Sequence, residues 1–158
     1  MELYFLRHGA AAPRGEWEGE DALRPLTEQG RDDVAGVAAF LARTAPMLDA
    51  IVTSPYVRAA ETADIVAQHL NLQDKVVSDA KIAPGFDAGR LAKLVKQFPK
   101  AKALLLVGHE PDFSTTVREL TGGRVVLKKG ALAYVETVDE SPKKGVLVWL
   151  VQPGVSGA

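Results

Sequence analysis

Hydrophobic positions along the chain fall into two rhythms, short unbroken runs and stretches with helical spacing. The first run, Leu3-Tyr4-Phe5-Leu6, is short and rich in β-formers, and it ends abruptly at Arg7-His8-Gly9; it predicts a buried strand. Residues 9–25 carry Gly, Pro and charges without periodicity and predict a long loop. Thr27 followed by Glu28 marks a helix start, and Val34, Val37, Ala38 and Leu41 continue it at helical spacing. Ala50 to Thr53 reads as a second strand, with Ser54 as cap and Pro55 as first residue of a helix running to about Leu70. A short extended stretch is expected within residues 75–83. Leu91, Leu94, Val95 and Phe98 then mark a third helix, stopped by Pro99. Leu104 to Val107 is a third buried run, broken at Gly108-His109-Glu110-Pro111. A helix bearing Phe113, Val117 and Leu120 follows, closed by Gly122-Gly123. Val125–Leu127, Leu132–Val138 and Val146–Val151 predict three further strands. Strands alternating with helices, then strands alone, define an α/β chain with a mostly parallel central sheet.

At 158 residues the chain is expected to form a single domain over 1–152, with a loose tail at 153–158. Nineteen Lys and Arg against twenty Asp and Glu leave a formal charge of −1, which gives no global field for nucleic acid or an anionic membrane. The lack of cysteine removes disulfides, thiolate metal sites and a cysteine nucleophile. Four apolar residues before Arg7 are too few for a signal peptide or a membrane span, and a soluble, cytoplasmic protein is expected.

The polar residues gather at three strand ends. Arg7 offers a planar fork of donors suited to phosphate, His8 an imidazole nitrogen, and Gly9 a close backbone approach. Arg58 falls in the first turn of its helix, where a cation opposes the helix dipole unless an anion is near. His109 follows the third run. If the three strands are parallel neighbours, these ends face one crevice, and two of the junctions open helices whose free N–H groups favour an anion.

Leu6-Arg7-His8-Gly9, Arg24-Pro25-Leu26-Thr27-Glu28-Gln29-Gly30, Ser54-Pro55-Tyr56-Val57-Arg58-Ala59-Ala60-Glu61-Thr62 and Val107-Gly108-His109 occur in this order. Together they resemble the histidine phosphatase superfamily over nearly the whole chain. The short length, without space for a cap insertion, looks most like the SixA-type phosphohistidine phosphatases. The resemblance implies a phosphoglycerate-mutase-like, three-layer α/β/α sandwich. It also implies a phosphatase without metal or other cofactor that forms a covalent phosphohistidine on His8. Arg7 and Arg58 would hold the phosphoryl oxygens, His109 would donate to one of them, and Arg24 and Gly9 would complete the substrate contacts.

A phosphorylated protein, such as a phosphorelay or phosphocarrier component, is the expected partner, with small phosphoesters as further substrates. Two other readings stand beside it: a general small-molecule phosphomonoesterase of the same superfamily, and a non-catalytic phosphate-binding module. Many relatives draw a general acid from an inserted segment after the second helix; none is recognisable here, and Trp17-Glu18-Gly19 lies in the wrong place. Glu110 is the nearest candidate by position, and helix N-capping accounts for it equally well. Glu61 is expected to orient Arg58 as an i,i+3 pair, and His69 to complement a helix C-terminus. The spacing of the three histidines matches no familiar metal-ligand pattern.

Overall fold

The computed structural model describes residues 1–44, 46–138 and 142–154. Its elements are β1 (Glu2–Arg7), α1 (Glu28–Thr44), β2 (Ala50–Thr53), α2 (Val57–Leu70), β3 (Val76–Ser78), α3 (Ala88–Val95), β4 (Ala103–Gly108), α4 (Asp112–Thr121), β5 (Leu132–Thr137) and β6 (Gly145–Val151). The strands form one sheet in the order β3-β2-β4-β1-β5-β6. β1, β2, β3 and β4 run parallel, while β5 is antiparallel to both β1 and β6.

Alternation along each strand divides the core between two faces. Leu3 and Phe5 of β1 join Val52, Leu104 and Leu106 beneath Leu91 and Leu94 of α3 and Phe113 and Val117 of α4. Tyr4 and Leu6 turn the other way and meet Ile51 and Leu105 beneath Val34 and Val37 of α1 and Ala63 and Val66 of α2. The result is the expected three-layer α/β/α sandwich. The stretch between α2 and β4 holds β3, α3 and short 3-10 turns, so no cap is inserted there.

Local chemistry sets several boundaries. Thr27 Oγ1 accepts from Gly30 N at 3.0 Å and starts α1, as the sequence predicts. Asp87 does the same for α3 through Arg90 N at 2.7 Å. Gly122, with φ of 77°, closes α4 in the left-handed region.

Three expectations differ from the structure. Val125–Leu127 is not a strand: Gln152 Nε2 donates to the Val126 carbonyl and Arg7 Nη1 to that of Leu127, so side chains take what a ladder would use. The third helix ends at Val95 rather than reaching Phe98, which packs against the core from a following turn. α2 begins at Val57, and Ser54 is not its cap; the Ser54 hydroxyl accepts from Tyr56 N and faces a histidine instead. Of the tail at 153–158, residues 155–158 lie outside the described residues. Among the described residues no helix is long and apolar enough to cross a membrane.

Candidate active site

Parallel register brings the three strand ends level. Arg7 pairs with Gly108 and Thr53 with Val107. Beyond the ladder His8 N donates to the Gly108 carbonyl, and Ser54 N to that of Val107, both at 3.0 Å. The chain ends of β1, β2 and β4 therefore open into one crevice, a cleft of about 530 Å³ whose lining includes Arg7, His8, Arg58 and His109. Sites of open α/β sheets sit in this position, beyond the carboxyl ends of the strands.

His8 is only 7% exposed. Its Nδ1 lies 2.7 Å from the Gly9 carbonyl, a contact that only an N–H can make favourable. The proton is thus fixed on Nδ1, and Nε2 keeps a lone pair. Arg58 Nε donates to that Nε2 at 3.3 Å. His109 stands beside it with ring centroids 5.2 Å apart. His109 Nε2 is 2.8 Å from Ser54 Oγ. Ser54 Oγ accepts from Tyr56 N and can give its own proton to His109 Nε2, the arrangement in which the imidazole hydrogen sits on Nδ1. That Nδ1, like Arg7 Nε, is buried without a hydrogen-bond partner among the described residues. Leaving a buried donor unsatisfied costs about 1–3 kcal/mol, so both atoms fit a cleft that takes an acceptor-rich ligand.

Burial first, then the proximity of His109, Arg58 and Arg7, lowers the His8 pKa to about 3 against the pull of the Gly9 carbonyl, which raises it. Burial and then Arg58 lower that of His109 to about 4. Both imidazoles are neutral at pH 7. Burial also lowers the Arg7 and Arg58 guanidiniums from their ordinary value, which leaves them charged at neutral pH.

The loop supplies a residue that the sequence did not single out. Arg58 Nη1 donates to the Asp21 carbonyl at 2.8 Å, and Nη2 to Asp21 Oδ2 at 3.1 Å. The other carboxylate oxygen takes Arg24 Nε, also at 3.1 Å. Burial opposes ionisation of Asp21, but Arg58 and Arg24 hold its carboxyl below the usual carboxylate range. The signal was present only as an acid among arginines in an aperiodic loop. Its partner is remote in sequence.

Arg24 lies on the cleft wall, buried, with Nη1 on the Ala12 carbonyl at 2.7 Å. Gly9 does not line the cleft: its N–H goes to Thr62 Oγ1, and a Cβ there would meet the Gly30 carbonyl and Val34 at 2.8 Å. Gly9 is therefore required for packing against α1, not brought to the cleft as a donor. Glu110 lines the cleft, yet its two oxygens accept from Ser114 N and Ser114 Oγ at 2.9 and 2.6 Å, a capping arrangement. Glu61 does not orient Arg58; it pairs with Arg31 at 2.6 Å and accepts from Leu26 N. The rotation between Arg58 and Glu61 points one into the cleft and the other to α1. His69 is exposed, away from the cleft lining, with Nδ1 at the Ile65 carbonyl. Among the described residues no group of three or more His, Cys, Asp and Glu is placed to hold a metal ion.

Two neutral imidazoles and two guanidiniums, that of Arg58 buried and that of Arg7 half-buried, at the strand ends of a three-layer α/β sandwich define an enzyme that handles a phosphoryl group. The chain belongs to the histidine phosphatase superfamily (branch 1), whose family model matches residues 3–83, and it is a phosphatase. It is 36% identical over 140 residues to an uncharacterised protein of Picosynechococcus sp. (strain ATCC 27264 / PCC 7002 / PR-6), covering 84% of this chain and 82% of that one. It is 28% identical over 157 residues to the phosphohistidine phosphatase SixA of Escherichia coli (strain K12), covering 97% and 94%. The structure of the protein histidine phosphatase SixA complexed with tungstate superposes with a TM-score of 0.86, at 28% identity and 97% coverage of both chains.

Proposed function

We propose that the protein hydrolyses phosphohistidine on another protein, without metal, through a covalent phosphohistidine at His8. The observation that carries this reading is the His8 Nδ1 contact with the Gly9 carbonyl, which leaves Nε2 as an unprotonated nucleophile beside Arg58. In the first step the Nε2 lone pair forms a bond to phosphorus as the bond from phosphorus to the substrate nitrogen breaks. Arg7, Arg58 and the Nδ1–H of His109 take the charge on the equatorial oxygens. Water then attacks the same phosphorus, the bond to Nε2 breaks, and inorganic phosphate leaves a neutral His8 behind.

The leaving group decides between protein phosphohistidine and phosphate esters. An alkoxide must be given a proton, whereas a phosphoimidazole protonated on its other nitrogen departs as neutral imidazole. The two carboxylates on the cleft wall are poor proton donors: Asp21 is held ionised by arginines, and Glu110 is engaged with Ser114. A cleft without a cap also admits a side chain carried on a protein surface. The relationship to a phosphohistidine phosphatase over 97% of the chain supports the same substrate class.

The test is turnover of a phosphohistidine protein beside a panel of small phosphoesters, each with and without chelator. Phosphohistidine hydrolysis unaffected by chelator is expected, with an acid-labile, base-stable phosphate trapped on the wild type and missing from His8→Ala. Retention of that label in His8→Ala would remove His8 from the reaction. Turnover of the esters alone would assign the protein to small-molecule hydrolysis.

A further inference from the structure

Two exposed cations on the cleft wall, Arg14 and Lys129, are not used by the chemistry just described. Lys129 sits in a four-residue turn, Lys128–Ala131, closed by Ala131 N on the Lys128 carbonyl at 2.8 Å, with Gly130 at φ of 77°. Gly130 N in turn donates to the carbonyls of both Arg7 and His8, at 3.2 and 3.0 Å. The backbone of Lys129 is thereby anchored to the strand end that carries the nucleophile. Its side chain is exposed on the cleft wall and has no hydrogen-bond or ion-pair partner among the described residues. Arg14 lines the same cleft from the long loop, and its side chain is 78% exposed. Its Nε lies 3.6 Å from Asp21 Oδ1, an oxygen that Arg24 already holds at 3.1 Å.

The chain as a whole carries a charge of −1, so the cationic excess at this mouth is local. The phosphoryl group accounts for Arg7 and Arg58, and Asp21 and the Ala12 carbonyl hold Arg24, which leaves the two exposed cations without a task. Lys129 without a partner among the described residues and Arg14 sharing its one acidic partner with Arg24 leave exposed positive charge at the cleft mouth, which attracts anionic groups that lie just outside the reacting one. We propose that Arg14 and Lys129 form a basic rim that recognises acidic residues flanking the phosphohistidine of the protein substrate. This rests on the phosphohistidine reading above and adds a charge preference to it.

The experiment uses three synthetic peptides, each bearing one phosphohistidine and flanked by Asp and Glu, by Ser and Gly, or by Lys. kcat/KM is measured for the wild type, Lys129→Gln, Lys129→Glu and Arg14→Glu at low and high salt. The wild type should prefer the acidic peptide, and the preference should shrink as salt rises. In Lys129→Glu the ratio of acidic to neutral peptide should fall on the order of tenfold, mainly through KM, with the Lys-flanked peptide gaining. Lys129→Gln should fall between the two. Equal kcat/KM on all three peptides in the wild type, or an unchanged ratio in both glutamate variants, overturns the rim while leaving the phosphohistidine reading in place. No turnover of any peptide by the wild type overturns both.

Discussion

Arg58 gives Nε to His8 and both terminal nitrogens to Asp21, so one acidic residue from a remote loop sets where the guanidinium lies. Asp21→Asn keeps an oxygen acceptor but removes the charge that balances two buried arginines. It should lower kcat on the order of tenfold with a smaller change in KM, the pattern of an outer residue acting through another. A lower melting temperature with unchanged kcat would show that Asp21 serves only the loop. Arg7→Lys and Arg58→Lys keep the charge but lose the planar fork, and each should cost on the order of 10²-fold in kcat. Single-turnover rates check this, and wild-type rates in both variants would remove the arginines from the transition state. The four principal side chains were legible in the sequence because each ends a strand or opens a helix. Asp21 was not, because contact with Arg58 depends on a path of the loop that no local pattern encodes.

At the scale of elements, the long loop reaches the site only because α1 lets it pass close. A Cβ on Gly30 would run into the Ala10 carbonyl, and one on Gly9 into that of Gly30. Gly30→Ala therefore forces backbone apart and should destabilise by about 1–3 kcal/mol. At roughly 2–4 °C per kcal/mol for a chain of this size, calorimetry would show a drop of several degrees. An unchanged melting temperature would mean that the loop has another way past the helix. Helix starts with a local signal, such as Thr27 before α1 and Asp87 before α3, can be read from neighbouring residues. Val125–Leu127 shows the opposite case: its residues favour a strand, but Gln152 and Arg7 occupy its carbonyls from far along the chain. Glu61 followed its helix spacing toward Arg58 on paper, whereas Arg31 across the helix pair reaches it first.

For the whole molecule, two neutral buried imidazoles make stability depend on pH. In the unfolded chain each has a pKa of about 6.5. In the fold these values fall to about 3 for His8 and 4 for His109, chiefly through burial. Below about pH 6.5 the unfolded state thus binds protons that the native state refuses, and stability present above that pH is lost as pH falls toward 4. The urea midpoint should decline from pH 7 to 5, and His109→Asn should make the decline shallower. A midpoint independent of pH over that range would place charged imidazoles in the fold. The sheet order has one more consequence, which concerns the time course of synthesis. β1 precedes β4 and β5 along the chain, yet it lies between them, with Glu2 paired to Ala103 on one side and Glu136 on the other. Contacts of such sequence separation form slowly and late. His8, at the end of β1, thus precedes in synthesis both strands that flank it, and the crevice it faces is complete only once β4 and β5 have been made and docked.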